Sequence, residues 1–142
     1  MKQVLVAIDE HDHADQIVDA GIDLAKAMSA KVYLIYVVPK TNVPDSYRDS
    51  HGDALPEHYF EDQFRRVAER YLQAVEKAGL KYEGLPRSGN AEAEILKAAK
   101  AKGVDYIVVG TRELKGMGRL RAIGSVSRNV IEKSTIPVLA VP

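Results

Sequence analysis

Cysteine is absent from the 142 residues, which excludes disulfides, thiol catalysis and thiolate metal sites. Net charge is absent too: 20 basic residues balance 20 acidic ones, so no whole-surface attraction draws the chain to nucleic acid or to an anionic membrane. No stretch approaches the roughly 20 apolar residues that span a bilayer. The opening MKQVLVAIDE lacks the long apolar run and small-residue cleavage site of a signal peptide, and it reads directly as a first strand. The expectation is a cytoplasmic protein with neither nucleic acid nor membrane as a partner.

What the chain does have is apolar bulk in short runs. Hydrophobic residues make up 46% of it, enough to cover a sheet on both faces. Val4 to Ile8 is a continuous apolar run bounded by charge, as suits a parallel strand buried on both sides. From Ala14 the period changes, and Ile17, Val18, Gly21, Leu24, Ala25 and Met28 fall on one helical stripe. Lys31 to Val38 is a second β-branched run, closed by Pro39. Residues 39–56 hold three prolines and few aliphatics, and read as a long surface loop. Phe60, Phe64, Val67, Tyr71, Leu72, Val75 and Ala78 mark a long amphipathic helix ended by Gly79.

A weaker strand from Tyr82 to Leu85 follows, and Glu83, Gly84 and Pro86 suit it to a sheet edge. Asn90 is placed to cap a helix with Ile95, Leu96 and Ala99 inward and Gly103 after its end. Tyr106 to Val109 is again a buried strand. Gly124 or Ser125 opens a last helix to about Lys133, and Pro137 to Val141 forms a final strand. Strict alternation of strand and helix predicts one α/β domain over residues 1–142, a doubly wound, five-stranded parallel sheet of Rossmann-like type.

In such sheets ligands bind at the carboxyl ends of the strands, where the strand order reverses. That rule selects Asp9-Glu10-His11, Val37-Val38-Pro39 and the segment from Gly110 to Ser127. In the third, Gly110, Gly116, Gly118 and Gly124 leave backbone amides unshielded, so an anion can approach closely. Gly124-Ser125-Val126-Ser127 then enters a helix, whose free amides favour phosphate. Arg112, Lys115, Arg119 and Arg121 add positive charge. The alternative is a loop whose glycines only turn the chain and whose basic residues are solvated. Neither a Walker Gly-Lys-Ser/Thr nor a GxGxxG after the first strand is present.

Other constellations carry less. His11-Asp12-His13 has no further ligand at motif spacing, so a solvated turn is expected there and no metal site. Asp9-Glu10 matches the acidic pair of a phospho-acceptor receiver domain, but Arg87-Ser88 stands where the acceptor Asp would be needed. No G-x-S-x-G elbow exists for hydrolysis, and Asp45, Asp49 and Asp53 have no His or Lys to tune them. The sequence offers no catalytic set, so no enzyme is expected.

Three stretches carry a resemblance over nearly the whole chain. VLVAIDE with its helix and KVYLIYVVP, then GNAEAEILKAAKAKGVDYIVVGTR, then GSVSRNVIEKSTIPVLAVP are similar to the opening, middle and closing segments of the universal stress protein family. The resemblance implies the adenine nucleotide alpha hydrolase-like fold and, in members that bind ATP, a loop of form G-x2-G-x9-G-S/T. Gly110 and Gly124-Ser125 fit its ends. Glu113 stands in the second glycine's place, and the interval is one residue longer; Gly116 and Gly118 are the candidates to supply the bend. By the same resemblance Asp9 contacts the nucleoside part with Ala7 beside it, Val37 meets adenine through its backbone, and Gly110, Gly124, Ser125 and Ser127 contact phosphate. The family often has Gly-Ser after the Asp, where this chain has Glu10-His11.

The expected function is a stress-response regulator that binds ATP or AMP, with magnesium accompanying the nucleotide and little or no hydrolysis. The alternative is a dimeric interaction protein of the same family that binds no nucleotide. The apolar final stretch, residues 136–142, would offer unpaired backbone if it forms an edge. A homodimer through that strand is what the resemblance implies.

Overall fold

The computed structural model describes residues 1–9, 13–38, 57–111 and 124–142, with residues 57 and 58 described by backbone alone. The elements run β1 (Gln3–Ile8), α1 (Ala14–Met28), β2 (Lys31–Val38), α2 (Glu57–Lys77), β3 (Tyr82–Ser88), α3 (Ala91–Lys102), β4 (Tyr106–Gly110), α4 (Ser125–Lys133) and β5 (Val138–Val141). All five strands are parallel, in the order β3-β2-β1-β4-β5. This is the α/β architecture the alternation predicts.

The apolar runs become the central strands because both of their faces are covered. Val4, Val6 and Ile8 alternate with Leu5 and Ala7, and the two sets enter different cores. On one side Ile17, Val18 and Ala25 of α1 and Phe64, Tyr71 and Val75 of α2 close over the sheet. On the other, Ile95, Ala98 and Ala99 of α3 and Val130 of α4 do so. Leu5, Leu34, Ile35, Ile107 and Val108 are fully buried. At about 25 cal/mol per Å² of apolar area, each such side chain contributes roughly 1.5–3 kcal/mol of burial free energy.

The outer strands are β3 and β5. β3 extends three residues beyond the stretch expected from sequence, through Pro86, Arg87 and Ser88. Pro86 is tolerated because β3 pairs on one side only, opposite Tyr36 of β2. Local signals also hold at helix ends. Asn90 accepts the Ala93 amide at 2.9 Å and starts α3, and Gly103 ends it in the left-handed region at φ 64°. No helix among the described residues is long and apolar enough to cross a membrane.

Candidate functional site

The strand order reverses between β1 and β4, and the pairing of these two strands stops short of their ends. Their pairing runs from Val4–Tyr106 to Val6–Val108. β1 nevertheless stays with β2 as far as Ile8–Tyr36, and β4 stays with β5 as far as Gly110–Val141. The last two residues of each central strand therefore follow their outer neighbours and part from one another. In open parallel sheets the carboxyl ends of strands at such a reversal are where a ligand crevice is expected.

Several of the residues singled out in the sequence lie at this carboxyl edge. Ala7 is half-buried near the end of β1, and Asp9 is exposed just beyond it. Val37 is buried among the α3- and α4-side core residues, so only its backbone is available to a ligand at the strand end. Gly110 is the last residue of β4. Its missing Cβ has a packing reason: a methyl group there would lie 2.4 Å from Cδ1 of Ile17 and 2.9 Å from Cδ2 of His13. The first turn of α1 can settle on β4 because this position is bare.

α4 begins beside Gly110. Gly124 is its N-cap, at φ −58° and ψ 150°, and makes no side-chain cap. The Gly124 amide donates to the Thr111 carbonyl at 3.0 Å, and the Gly124 carbonyl accepts the Arg128 amide at 3.0 Å. The amides of Ser125, Val126 and Ser127 form the first turn, which contains no acidic side chain. Ser125 and Val126 are exposed, whereas Ser127 is buried. The Ser127 hydroxyl donates to the Gly110 carbonyl. That bond fastens α4 to β4 and fixes where the helix amides point; the oxygen keeps its acceptor capacity. Arg112, Gly116 and Gly118 lie outside the described residues, as do Glu113, Lys115, Arg119, Arg121, Glu10, His11 and the stretch 39–56.

At this edge one residue departs from its expectation and another had none. His13 is not in a solvated turn: it is 5% exposed, and its Nε2 lies 3.1 Å from the Val141 carbonyl. Thr111 reaches the same carbonyl, through its amide at 2.9 Å and its hydroxyl at 3.3 Å. No local pattern marks either contact, because each depends on β5 lying next to β4. Among the described residues, no group of three or more His, Cys, Asp or Glu is gathered for a metal ion.

The arrangement can receive a ligand with a flat, largely apolar part along the strand ends and an anionic part at the uncapped start of α4. Known proteins are similar to this chain over its whole length. A model of the universal stress protein family matches residues 1–142. The chain is 34% identical to the universal stress protein YxiE of Bacillus subtilis, over 98% of this chain and 97% of that one. It is 33% identical to a universal stress protein of Thermus aquaticus, over 99% and 98% of the two chains. The solved structure of MJ0577, from Methanocaldococcus jannaschii, superposes with a TM-score of 0.79 at 25% identity, covering 99% of this chain and 94% of that one. Two further structures share the fold. One is an Archaeoglobus fulgidus universal stress protein in complex with dAMP, with a TM-score of 0.71 and 22% identity over 100% and 98% of the chains. The other is an Arabidopsis thaliana family member with AMP bound, with a TM-score of 0.69 and 18% identity over 99% and 91%. With the whole length matched in sequence and in fold, the chain belongs to the universal stress protein family.

Proposed function

We propose that the protein is a regulator that binds an adenine nucleotide, AMP or ATP, in the crevice between the ends of β1 and β4. The observation that carries this reading is the uncapped start of α4, whose first-turn amides lie beside the parted strand ends. Nucleotide complexes of fold relatives support it.

In this reading each residue has a physical task. The backbone at Val37 meets the edge of adenine, because the side chain is committed to the core. Ala7 is small enough to leave room beside it, and the exposed carboxylate of Asp9 accepts from ribose hydroxyls. The amides of Ser125, Val126 and Ser127, with the hydroxyl of Ser125, donate to phosphate oxygens at the positive end of the helix dipole. Gly110 and Gly124 keep side chains out of the way. Arg112 contributes charge, and Gly116 and Gly118 contribute bare backbone. Magnesium would accompany a triphosphate and neutralise part of its charge. No side chain is assigned to activate water, so binding rather than turnover is the task. In this reading a partner distinguishes the occupied state from the empty one. A second copy of the chain joined along β5 completes the proposal. β5 is an edge strand, and its Leu139 is exposed.

The test is calorimetric titration of protein stripped of co-purified ligand with AMP, ADP and ATP, the last two with magnesium. Saturable heat and a thermal shift that grows with nucleotide concentration are expected. A flat titration with no thermal shift at millimolar nucleotide would overturn the reading. It would favour the alternative, an interaction protein of this family whose loop has lost phosphate because Glu113 replaces a glycine.

A further inference from the structure

We infer that His13 is a positioning residue, which joins the start of α1 to the end of β5 and thereby holds the base of the 111–124 connection in place. Three donors converge on one oxygen, the Val141 carbonyl: the Thr111 amide at 2.9 Å, the His13 ring at 3.1 Å and the Thr111 hydroxyl at 3.3 Å. A carbonyl offers two lone pairs, so this acceptor is fully used. The Thr111 carbonyl in turn accepts the Gly124 amide at 3.0 Å, and the Ser127 hydroxyl is held by the carbonyl of Gly110. The chain of contacts thus runs from α1 through the last residue of β5 to both ends of the connection and into α4.

The state of His13 follows from its partner. A carbonyl can only accept, so Nε2 carries the proton and a neutral ring leaves Nδ1 as an acceptor. That Nδ1 is buried and has no hydrogen-bond partner among the described residues. Nor does the ring serve its own helix: His13 is the N-cap of α1 at φ −66° and ψ −13°, and makes no capping bond. Ser, Asp or Asn would satisfy a helix amide at this position, which His13 does not. An unused Nδ1 and an uncapped helix are both unfavourable, and the bond to Val141 is what the residue provides in exchange. Gly110 makes the arrangement fit, since a Cβ there would meet the ring and Ile17.

The test compares His13→Leu, which removes the donor, with His13→Gln, whose side-chain amide reaches about as far as Nε2. Hydrogen exchange at single amides is the readout. In His13→Leu the Thr111 and Gly124 amides should exchange about tenfold faster, the loss of one net hydrogen bond. The Gly89 amide, bonded to the Val38 carbonyl across the sheet, should keep its rate. His13→Gln should restore protection at both sites. Equal acceleration at all three amides would reduce His13 to ordinary core packing, and unchanged Thr111 and Gly124 rates would remove the idea. Should His13→Leu not fold, Thr111→Val tests the hydroxyl arm. The Gly124 amide should then exchange severalfold faster with Gly89 unaffected, and an unchanged rate at Gly124 again removes the idea.

The functional consequence rests on the nucleotide reading above. If the wild-type protein binds, His13→Leu should weaken ATP more than adenosine, because the phosphate end depends on the 111–124 base. If the wild-type protein binds no nucleotide, that reading fails, while the exchange experiment still decides the role of His13. Equal weakening of ATP and adenosine would confine the role of His13 to the protein scaffold.

Discussion

Two helices start at the same edge of the sheet and are finished in opposite ways. α3 begins with Asn90, whose side chain accepts the Ala93 amide, and it carries Glu92 and Glu94 in its first turn. α4 begins with Gly124, makes no side-chain cap and has no acidic residue in its first turn. The first helix satisfies its own amides and complements its own dipole, so it has little to give an anion. The second leaves both tasks undone. One edge therefore holds a helix start that satisfies itself and one that does not, and both the cap and the first-turn charge separate them.

The largest effect should come from erasing that difference. Gly124 has an ordinary negative φ, so a side chain is tolerated there by the backbone. Gly124→Asp would cap α4 and place a carboxylate where the phosphate is proposed to sit. Folding stability should stay within about 0.5 kcal/mol of wild type or rise slightly, since Asp is a favoured N-cap. Affinity for AMP and ATP should fall by about 100-fold, through like-charge repulsion and loss of free amides. Calorimetry and urea unfolding on one preparation check both halves. Unchanged affinity in a folded variant would detach α4 from the phosphate.

The converse change is smaller. Asn90→Ala removes the cap of α3 and should destabilise the protein by about 1 kcal/mol, visible as a lower urea midpoint with an unchanged slope. Nucleotide affinity should not move, because α3 offers its amides to its own side chain. A large loss of binding in Asn90→Ala would mean that the two starts are not as separate as their caps imply.

The contrast between these helices was only half legible in the sequence. Asn90 and Gly103 announce α3 because capping is local: the residues that satisfy the helix ends are adjacent in the chain. The apolar runs at β1, β2 and β4 were legible for a similar reason, since a strand buried on both faces needs apolar residues at every position. Glu83, Gly84 and Pro86 gave the edge position of β3, although its pairing runs on to Ser88. At the site the local signal fails. Gly110 matches the first glycine of the expected loop pattern, yet its bareness is demanded by Ile17 and His13. Ser127 fits a phosphate position by pattern, yet its hydroxyl is turned to the Gly110 carbonyl. His13 lies 128 residues from Val141, and only the strand order brings them together. Polar side chains that hold a site in place seek partners set by topology, and periodicity does not report them.

The amino edge of the sheet extends the comparison, because among the described residues a cluster of opposite charges closes it. Glu83 lies 3.4 Å from Lys31 and 3.3 Å from Lys102, and both ammonium groups stand over the Tyr33 ring, at 4.7 and 5.5 Å. Partial burial pushes the Glu83 carboxyl up, but the bond and charge of Lys102, then those of Lys31, outweigh it and hold the group below its usual 4.5. A carboxyl lowered by folding stabilises the protein above its unfolded pKa, and that contribution disappears as the pH falls through the folded value. Glu83→Gln should therefore lower stability at pH 7 by about 0.5 kcal/mol, since the Glu83 side chain is half-exposed and solvent screens the pair. The gap to wild type should narrow between roughly pH 5 and pH 3 and vanish below, as the wild-type carboxyl takes up its proton. Urea unfolding across that range, at low and high salt, measures it. A gap that widens on acidification would mean that Glu83 is not held ionised by its lysines, and the amino edge would lose its claim to be closed by charge.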